Sequence, residues 1–264
     1  MFYWIVIIFL GFENCLLARE MESVQASLTQ VDGIYSFTTD ETHSGFNFTL
    51  DHALDAHWHV LIGAVWDRLQ LTEIAESLPE TLQFAAAKID LEYQVDGDSV
   101  FSLSFQPGLY GDQELANGAF DMPIILEVSY PLNDQLRLKL GFYYSQLSGT
   151  NWLPVIGLVA DFKPHWELDL MFPDSKLKYR LDDEMSFSLY GELLNNTYLL
   201  SDGRAVEYYQ THVGFSWEYD LPTGWNVCAK TGWALNRNLG FYQQGNTTHR
   251  ASTPFLELGL MKKW

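Results

Sequence analysis

From residue 88 onward the chain alternates apolar and polar side chains with a period of two. Ile89, Leu91, Tyr93 and Val95 interleave with Lys88, Asp90, Glu92 and Gln94, and Phe101, Leu103 and Phe105 with Ser102, Ser104 and Gln106. Leu136, Leu138, Leu140, Phe142 and Tyr144 interleave with Arg137, Lys139, Gly141, Tyr143 and Ser145. Trp166, Leu168 and Leu170 enclose Glu167 and Asp169; Leu177, Tyr179 and Leu181 enclose Lys178 and Arg180. Thr211 through Tyr219 repeats the pattern against His212, Gly214, Ser216 and Glu218. Successive side chains of a strand point to opposite faces, so each stretch predicts a strand with one apolar and one polar face. One stretch departs from it. Leu69, Leu71, Ile74, Ala75 and Leu78 fall at helical spacing and predict a short helix or turn within a loop.

The connections between these strands alternate in length. Tight ones fall at Asp96-Gly97-Asp98, Pro131 to Asp134, Lys163-Pro164, Asp182-Asp183 and Leu221 to Gly224. Longer ones run from Pro107 to Met122, Leu147 to Trp152, Asn195 to Arg204 and Asn238 to Ser252. Membrane barrels show this asymmetry, with tight periplasmic turns and longer outer loops. Phe172-Pro173-Asp174-Ser175 is the exception, a short connection on the long-loop side. The final segment, Pro254 to Trp264, alternates as well and reads as a closing strand. Leu256, Leu258, Leu260 and Trp264 are expected on its lipid face, with Trp264 in the interfacial girdle and Lys262 extended at the rim. The expected fold is all-β, an antiparallel up-and-down transmembrane β-barrel of about 12 to 14 strands.

Composition agrees with strands that are greasy on one side. Hydrophobic residues make up 47%, charged residues 19%, and the chain carries 17 Phe, 14 Tyr and 9 Trp. The apolar run Met1 to Phe12 is too short for a membrane helix and predicts a signal peptide over 1–18, although no Lys or Arg lies near Met1. Residues 19–264 then form a single barrel domain, in which Cys228 is the remaining cysteine and no intramolecular disulfide can form. A net charge of -19 argues against nucleic acid as a partner. The acidic runs, including Asp40-Glu41, Asp112 with Glu114, and Asp182-Asp183-Glu184, read as solvated loops.

Two stretches carry a resemblance. Leu78-Pro79-Glu80-Thr81-Leu82 is followed by Phe105-Gln106-Pro107-Gly108-Leu109-Tyr110-Gly111-Asp112. Trp152 to Leu158 leads through Lys163-Pro164-His165-Trp166 to Phe172-Pro173-Asp174-Ser175-Lys176-Leu177-Lys178-Tyr179. In order and content they resemble a family of bacterial outer-membrane β-barrels described only as a domain of unknown function. The resemblance implies a barrel with an outer-membrane address and no assigned activity.

Candidate chemistry is sparse. His57 and His59 share one strand face near Asp51, His52 and Asp55, a pattern that could hold a zinc or copper ion were a third ligand near but that is more simply a polar lumen wall; no metal and no cofactor is expected. Ser186, Ser188, Ser216 and His212 lack a nucleophile signature, so no enzyme is expected. Alternation places Asp90, Glu92, Glu127, Glu167, Asp169, Glu192, Glu218 and Glu257 in the lumen, with Lys88, Arg137, Lys139, Lys178, Arg180 and Lys230. An open pore would keep these charges hydrated, whereas a closed barrel would pair them. The leading expectation is a small channel or a closed structural barrel, partnered by outer-membrane lipid and the barrel-assembly machinery. The acidic stretches Asp112 to Asp121 and Asn195 to Arg204 would then give at most slight cation preference. Alternatives are a secreted β-sandwich or lipocalin-like binder of sugar or lipid, and an outer-membrane lipid hydrolase. Gly141, read as a lumen position, is expected to accept Ser.

Overall fold

Period-two patterning produces strands throughout the computed structural model, which describes residues 21–32, 39–72, 78–95, 99–112, 115, 118–147, 152–162, 164–241 and 246–263. Among these residues there are 17 strands and no α-helix. β1 (Met21–Asp32), β2 (Thr39–Ala53), β3 (Trp58–Leu71) and β4 (Thr81–Val95) are successive antiparallel neighbours. The next stave is broken: β5 (Ser99–Phe105) pairs with the later half of β4, and β6 (Gly108–Gly111) with its earlier half. β7 (Ala119–Asp121) and β8 (Ile124–Asn133) return alongside, against β6 and β5.

The meander continues through β9 (Leu136–Tyr144), β10 (Trp152–Phe162), β11 (Trp166–Phe172), β12 (Ser175–Arg180), β13 (Met185–Leu199), β14 (Ala205–Asp220) and β15 (Trp225–Phe241). β16 (Asn246–Arg250) and β17 (Thr253–Lys263) both pair with β15, and β17 pairs with β1, which closes the ring. With β5/β6, β7/β8 and β16/β17 each counted as one broken stave, the ring has 14 staves. Every stave has a neighbour on both sides.

Local chemistry explains the breaks. Pro107 has no backbone donor, and a Cβ on Gly108 would fall 2.4 Å from the Ala86 Cβ. The chain can therefore bend at this point and still return against β4. A bulge in β15 acts differently. Asn236 takes a positive φ of 50°, beside a register shift in the β14–β15 ladder. The extra residue re-aims the remainder of the strand, as bulges do. Lys230 and Ala234 point inward before it, and Arg237, Leu239 and Phe241 after it.

Two aromatic belts mark the membrane boundaries. At one end Trp152 packs on Tyr144 and Phe142, with ring centroids 4.7 and 5.2 Å away. At the other Trp58 packs on Tyr93 at 4.7 Å, Trp166 on Tyr179 at 4.8 Å, and Lys262 Nζ lies 5.3 Å from the Trp225 ring. At about 3.4 Å per residue and a tilt near 40°, the span from Trp152 to Phe162 rises about 26 Å, close to the ~25 Å apolar band of such barrels. Between the belts the outer surface is apolar: Leu140, Ile156, Leu170, Leu189, Phe215, Leu256, Leu258 and Leu260 are all exposed, Phe215 by 62% and Ile156 by 54%.

Several expectations change here. Leu69 and Leu71 belong to β3, paired with His43 and Glu41, because neighbouring extended strands impose a period of two where the sequence spacing fits a helix; residues 73–77 lie outside the described residues. The longer loops are shorter than they read, since β6, β7, β13, β15 and β16 carry the ladders on through polar and Gly-rich sequence. Asp40 and Glu41 lie on β2 and not in a loop. Gly141 is not a tolerant position: a Cβ there would meet the Leu126 carbonyl oxygen at 2.1 Å. The leader over 1–18 and Trp264 fall outside the described residues.

Candidate functional site: the barrel interior

The interior divides into a charged half and an apolar half. In the half nearer the tight turns, cations and carboxylates stand together within one stave, on adjacent staves or on next-but-one staves. Lys139 Nζ lies 3.3 Å from Glu127, Lys88 Nζ lies 3.3 Å from Asp90, and Arg180 contacts Glu167. Lys176 and Lys178 both donate to Glu218 at 2.8 Å, reaching across β13. Lys230 joins Glu257 at 3.1 Å and Glu192 at 3.7 Å, reaching across β14 in the second case. A pair that skips a stave must form on the concave side. Arg137 donates to the Ser129 hydroxyl, and Ser104 to Asp90. Asp169 keeps one buried carboxylate oxygen without a partner among the described residues, and Glu92 lies exposed near the turn.

Higher in the lumen, Gln210 Nε2 lies 2.8 Å from His212 Nε2, and His212 Nδ1 lies 3.3 Å from Glu192. Both contacts are satisfied if the amide donates and His212 carries its proton on Nδ1. Phe255 stacks on the His212 ring at 4.3 Å.

Above this level the lumen is filled. Leu69 and Leu71 of β3, Leu82 and Phe84 of β4, and Tyr110 of β6 form one buried cluster with Tyr198 of β13, Tyr208 of β14 and Leu239 of β15. Five staves separate these two groups one way round the ring and three the other, so the contact crosses the interior. The crossing extends to the backbone, because Leu199 of β13 bridges Gly111 of β6 in parallel. Beyond it, Asp112 accepts from the Ser201 amide at 3.1 Å and its hydroxyl at 2.9 Å. The β13–β14 hairpin thus leans across the mouth and packs on the far wall.

A buried ionic cluster stands beside this plug. Arg237, its side chain 2% exposed, contacts Asp40 at 3.0 Å and Glu41 at 2.9 Å. Arg250 contacts Asp40 at 3.2 Å and Glu41 at 2.6 Å, and Tyr208 donates to Glu41 at 3.2 Å. The cluster ties β2 to β15 and β16 across the seam where β17 meets β1. Sequence reasoning missed it, because the two acids and the two arginines are about two hundred positions apart; the signal available was Asn236, a residue that tolerates positive φ and here turns Arg237 inward.

Of the two histidines, both exposed, His57 is held by local contacts. Asp55 accepts from the His57 and Trp58 amides at 2.7 and 2.9 Å, which holds its carboxyl below the usual range. His57 Nδ1 lies 3.1 Å from the Gln94 carbonyl and its ring against Tyr93. The same arrangement recurs at His165, 3.0 Å from the Arg180 carbonyl and packed on Tyr179. Among the described residues no three metal-ligating side chains converge. The outer acids are engaged too: Asp202 binds Arg204 at 2.7 Å, and Asp121 accepts from Ser145 and from the Met122 and Gln146 amides.

A closed antiparallel ring with an apolar belt between two aromatic girdles is the fold of outer-membrane β-barrels. Solved structures agree. An outer membrane channel from Pseudomonas putida F1 superposes with a TM-score of 0.51 at 11% identity, over 93% of this chain and 95% of that one. The TodX monoaromatic hydrocarbon channel, in a deltaS2 mutant form, gives 0.52 at 11% identity over 93% and 90%. No family model and no curated protein matches the sequence. At this identity the likeness concerns the fold.

Proposed function

We propose that this protein is an outer-membrane barrel, not an enzyme, whose lumen is closed to hydrophilic solutes in its resting state. The observation that carries this reading is the apolar cluster joining Leu82, Phe84 and Tyr110 to Tyr198 and Tyr208 through the interior. An aqueous path would have to part those side chains and the Leu199 to Gly111 bridge. The charged half beneath fits the same reading, since Lys88, Lys139, Lys176, Lys178, Arg180 and Lys230 have carboxylate neighbours within 3.7 Å and need little water of their own. A channel is the second reading, favoured by the description of both similar structures as channels. In this chain it would require the β13–β14 hairpin to swing away. Outer-membrane lipid and the barrel-assembly machinery are its proposed partners, and membership of the uncharacterised family stays part of the proposal.

Planar bilayers test the reading. Wild-type protein should be silent, while Tyr110→Ala combined with Tyr198→Ala should show small steps. Steady conductance in the wild type would overturn it.

A further inference from the structure

The β11–β12 hairpin is too short for the wall it belongs to. Its ladder with β10 ends at Ile156 opposite Phe172, four residues below Trp152, and its ladder with β13 ends at Ser175 opposite Gly191. Its tip, Pro173-Asp174, therefore sits about 10 Å beneath the outer aromatic belt, at a depth where neighbouring wall faces lipid. β10 runs on to Trp152 and β13 to Leu199 on either side, leaving a notch in the wall.

Behind the notch is a half-open cavity of about 290 Å³. Leu153 of β10 lines it with the face opposite to exposed Trp152, so Leu153 looks inward. Leu193, Asn195 and Glu207 line it from the same faces of β13 and β14 that carry lipid-exposed Leu189 and Phe215 lower down. An inward face and an outward face can meet only because the β13–β14 hairpin has passed inside the cylinder. The outward parity also changes chemistry where it enters the cavity, from Phe187 and Leu189 to Asn195, and from Phe215 and Val213 to Thr211, Tyr209 and Glu207.

Among the described residues, two acceptors in this lining have no donor. Asn195 Oδ1 is buried without a hydrogen-bond partner, and Glu207 makes no side-chain hydrogen bond or ion pair among the described residues. The first free amide of the β13 edge is already capped, Leu193 donating to Asp174 at 3.1 Å. What the site lacks is a group with several donors, beside an apolar wall made by Leu153, Phe172 and Leu193. A hydroxyl brings one donor, whereas an ammonium brings three and a charge that answers Glu207. The volume equals that of about ten waters, enough for a chain of about eight carbons with its head group.

We propose that the cavity behind the β11–β12 notch binds a small cationic amphiphile, a primary alkylamine taken from the membrane side, with the ammonium on Glu207 and Asn195 and the chain against Leu153 and Phe172. The site lies outside the apolar plug but needs the β13–β14 hairpin in its leaning position, so it rests on the closed resting state proposed above; bilayer conductance tests that lean, and amine binding tests the site. Calorimetric titration of the barrel in phosphatidylcholine nanodiscs, blanked against empty nanodiscs, tests it with n-octylamine. Saturable one-to-one binding is expected, at least tenfold weaker for 1-octanol and lost for octanoate and for methylamine. Glu207→Gln and Leu153→Trp should each weaken octylamine at least tenfold while heat-modifiable migration on gels shows the barrel intact. Equal uptake of all four probes, octylamine binding unchanged in both variants, or no saturable octylamine binding by the folded barrel would overturn the site.

Discussion

Leu199 and Gly111 form a backbone bridge although they belong to opposite walls of the barrel. Such a contact fixes how far the β13–β14 hairpin leans. A Cβ at 111 would meet the Gly118 Cα of the β6–β7 return at 2.9 Å and the Leu199 carbonyl oxygen at 3.4 Å, so a branched side chain there crowds both the return and the bridge. Gly111→Val should push the hairpin back and raise protease sensitivity at 200–204 in intact cells. Unchanged cleavage would mean that the bridge does not hold the lean.

The ionic cluster makes a second, sharper prediction. Arg237→Met removes one cation from a site where Glu41 is 1% exposed. An uncompensated buried carboxylate costs about 3 to 5 kcal/mol. Urea titration in lipid vesicles should register a loss of that order. A change below about 1 kcal/mol would show the site to be wetter than its burial implies.

Asn236 should matter out of proportion to its exposure. A β-branched residue resists positive φ, so Asn236→Val would cost about 1 to 3 kcal/mol in strain or erase the bulge. Erasing it turns Arg237 to the lipid side. Asn236→Gly should be close to neutral in the same titration, and equal losses in the two variants would separate Arg237 from the bulge.

Gly141 and Leu140 test the wall from its two sides. Leu140→Arg puts a charge on the lipid face at roughly 2 to 4 kcal/mol. Gly141→Ser presses a Cβ on the Leu126 carbonyl and should cost about 1 to 3 kcal/mol through overpacking. Both should lower the urea midpoint in vesicles, whereas a harmless Gly141→Ser would mean that β8 and β9 separate easily.

At the periplasmic turn, Asp55 predicts a pH effect whose sign is set by its lowered pKa. A carboxylate depressed in the folded state stabilises above its unfolded pKa and stops doing so as pH falls through the folded one. Asp55→Ala should therefore speed amide exchange at His57 and Trp58 near neutrality, relative to wild type. The difference should vanish in strong acid; a difference that persists there would point to a contact other than the carboxylate.

The staves were legible because one face of each meets lipid. Leu256, Leu258 and Leu260 reveal their side by alternation alone, and the tight turns fix the order. What alternation cannot carry is a change of parity or a change of surroundings. Arg237 reads as continuing the face of Trp233 and Leu235 until the bulge is known. Tyr198 and Tyr208 look like rim aromatics in a polar stretch, and only the lean of their hairpin makes them core. The same lean turns the outward face of Asn195 and Glu207 toward Leu153. No local pattern encodes that meeting, since it depends on the low β11–β12 hairpin between them.

The seam between β1 and β17 has a mechanical consequence. Both strands carry their periplasmic ends together, Ser23 opposite Lys263, while the bonds of Asp40 and Glu41 to Arg237 and Arg250 straddle the far end. A load drawing the two ends apart would open the seam one rung at a time from below, like a zipper. It would then meet the arginine clasp last. The clasp is made of side chains from the flanking staves, so it resists in shear after the rungs have parted, and rupture under force should occur in two stages.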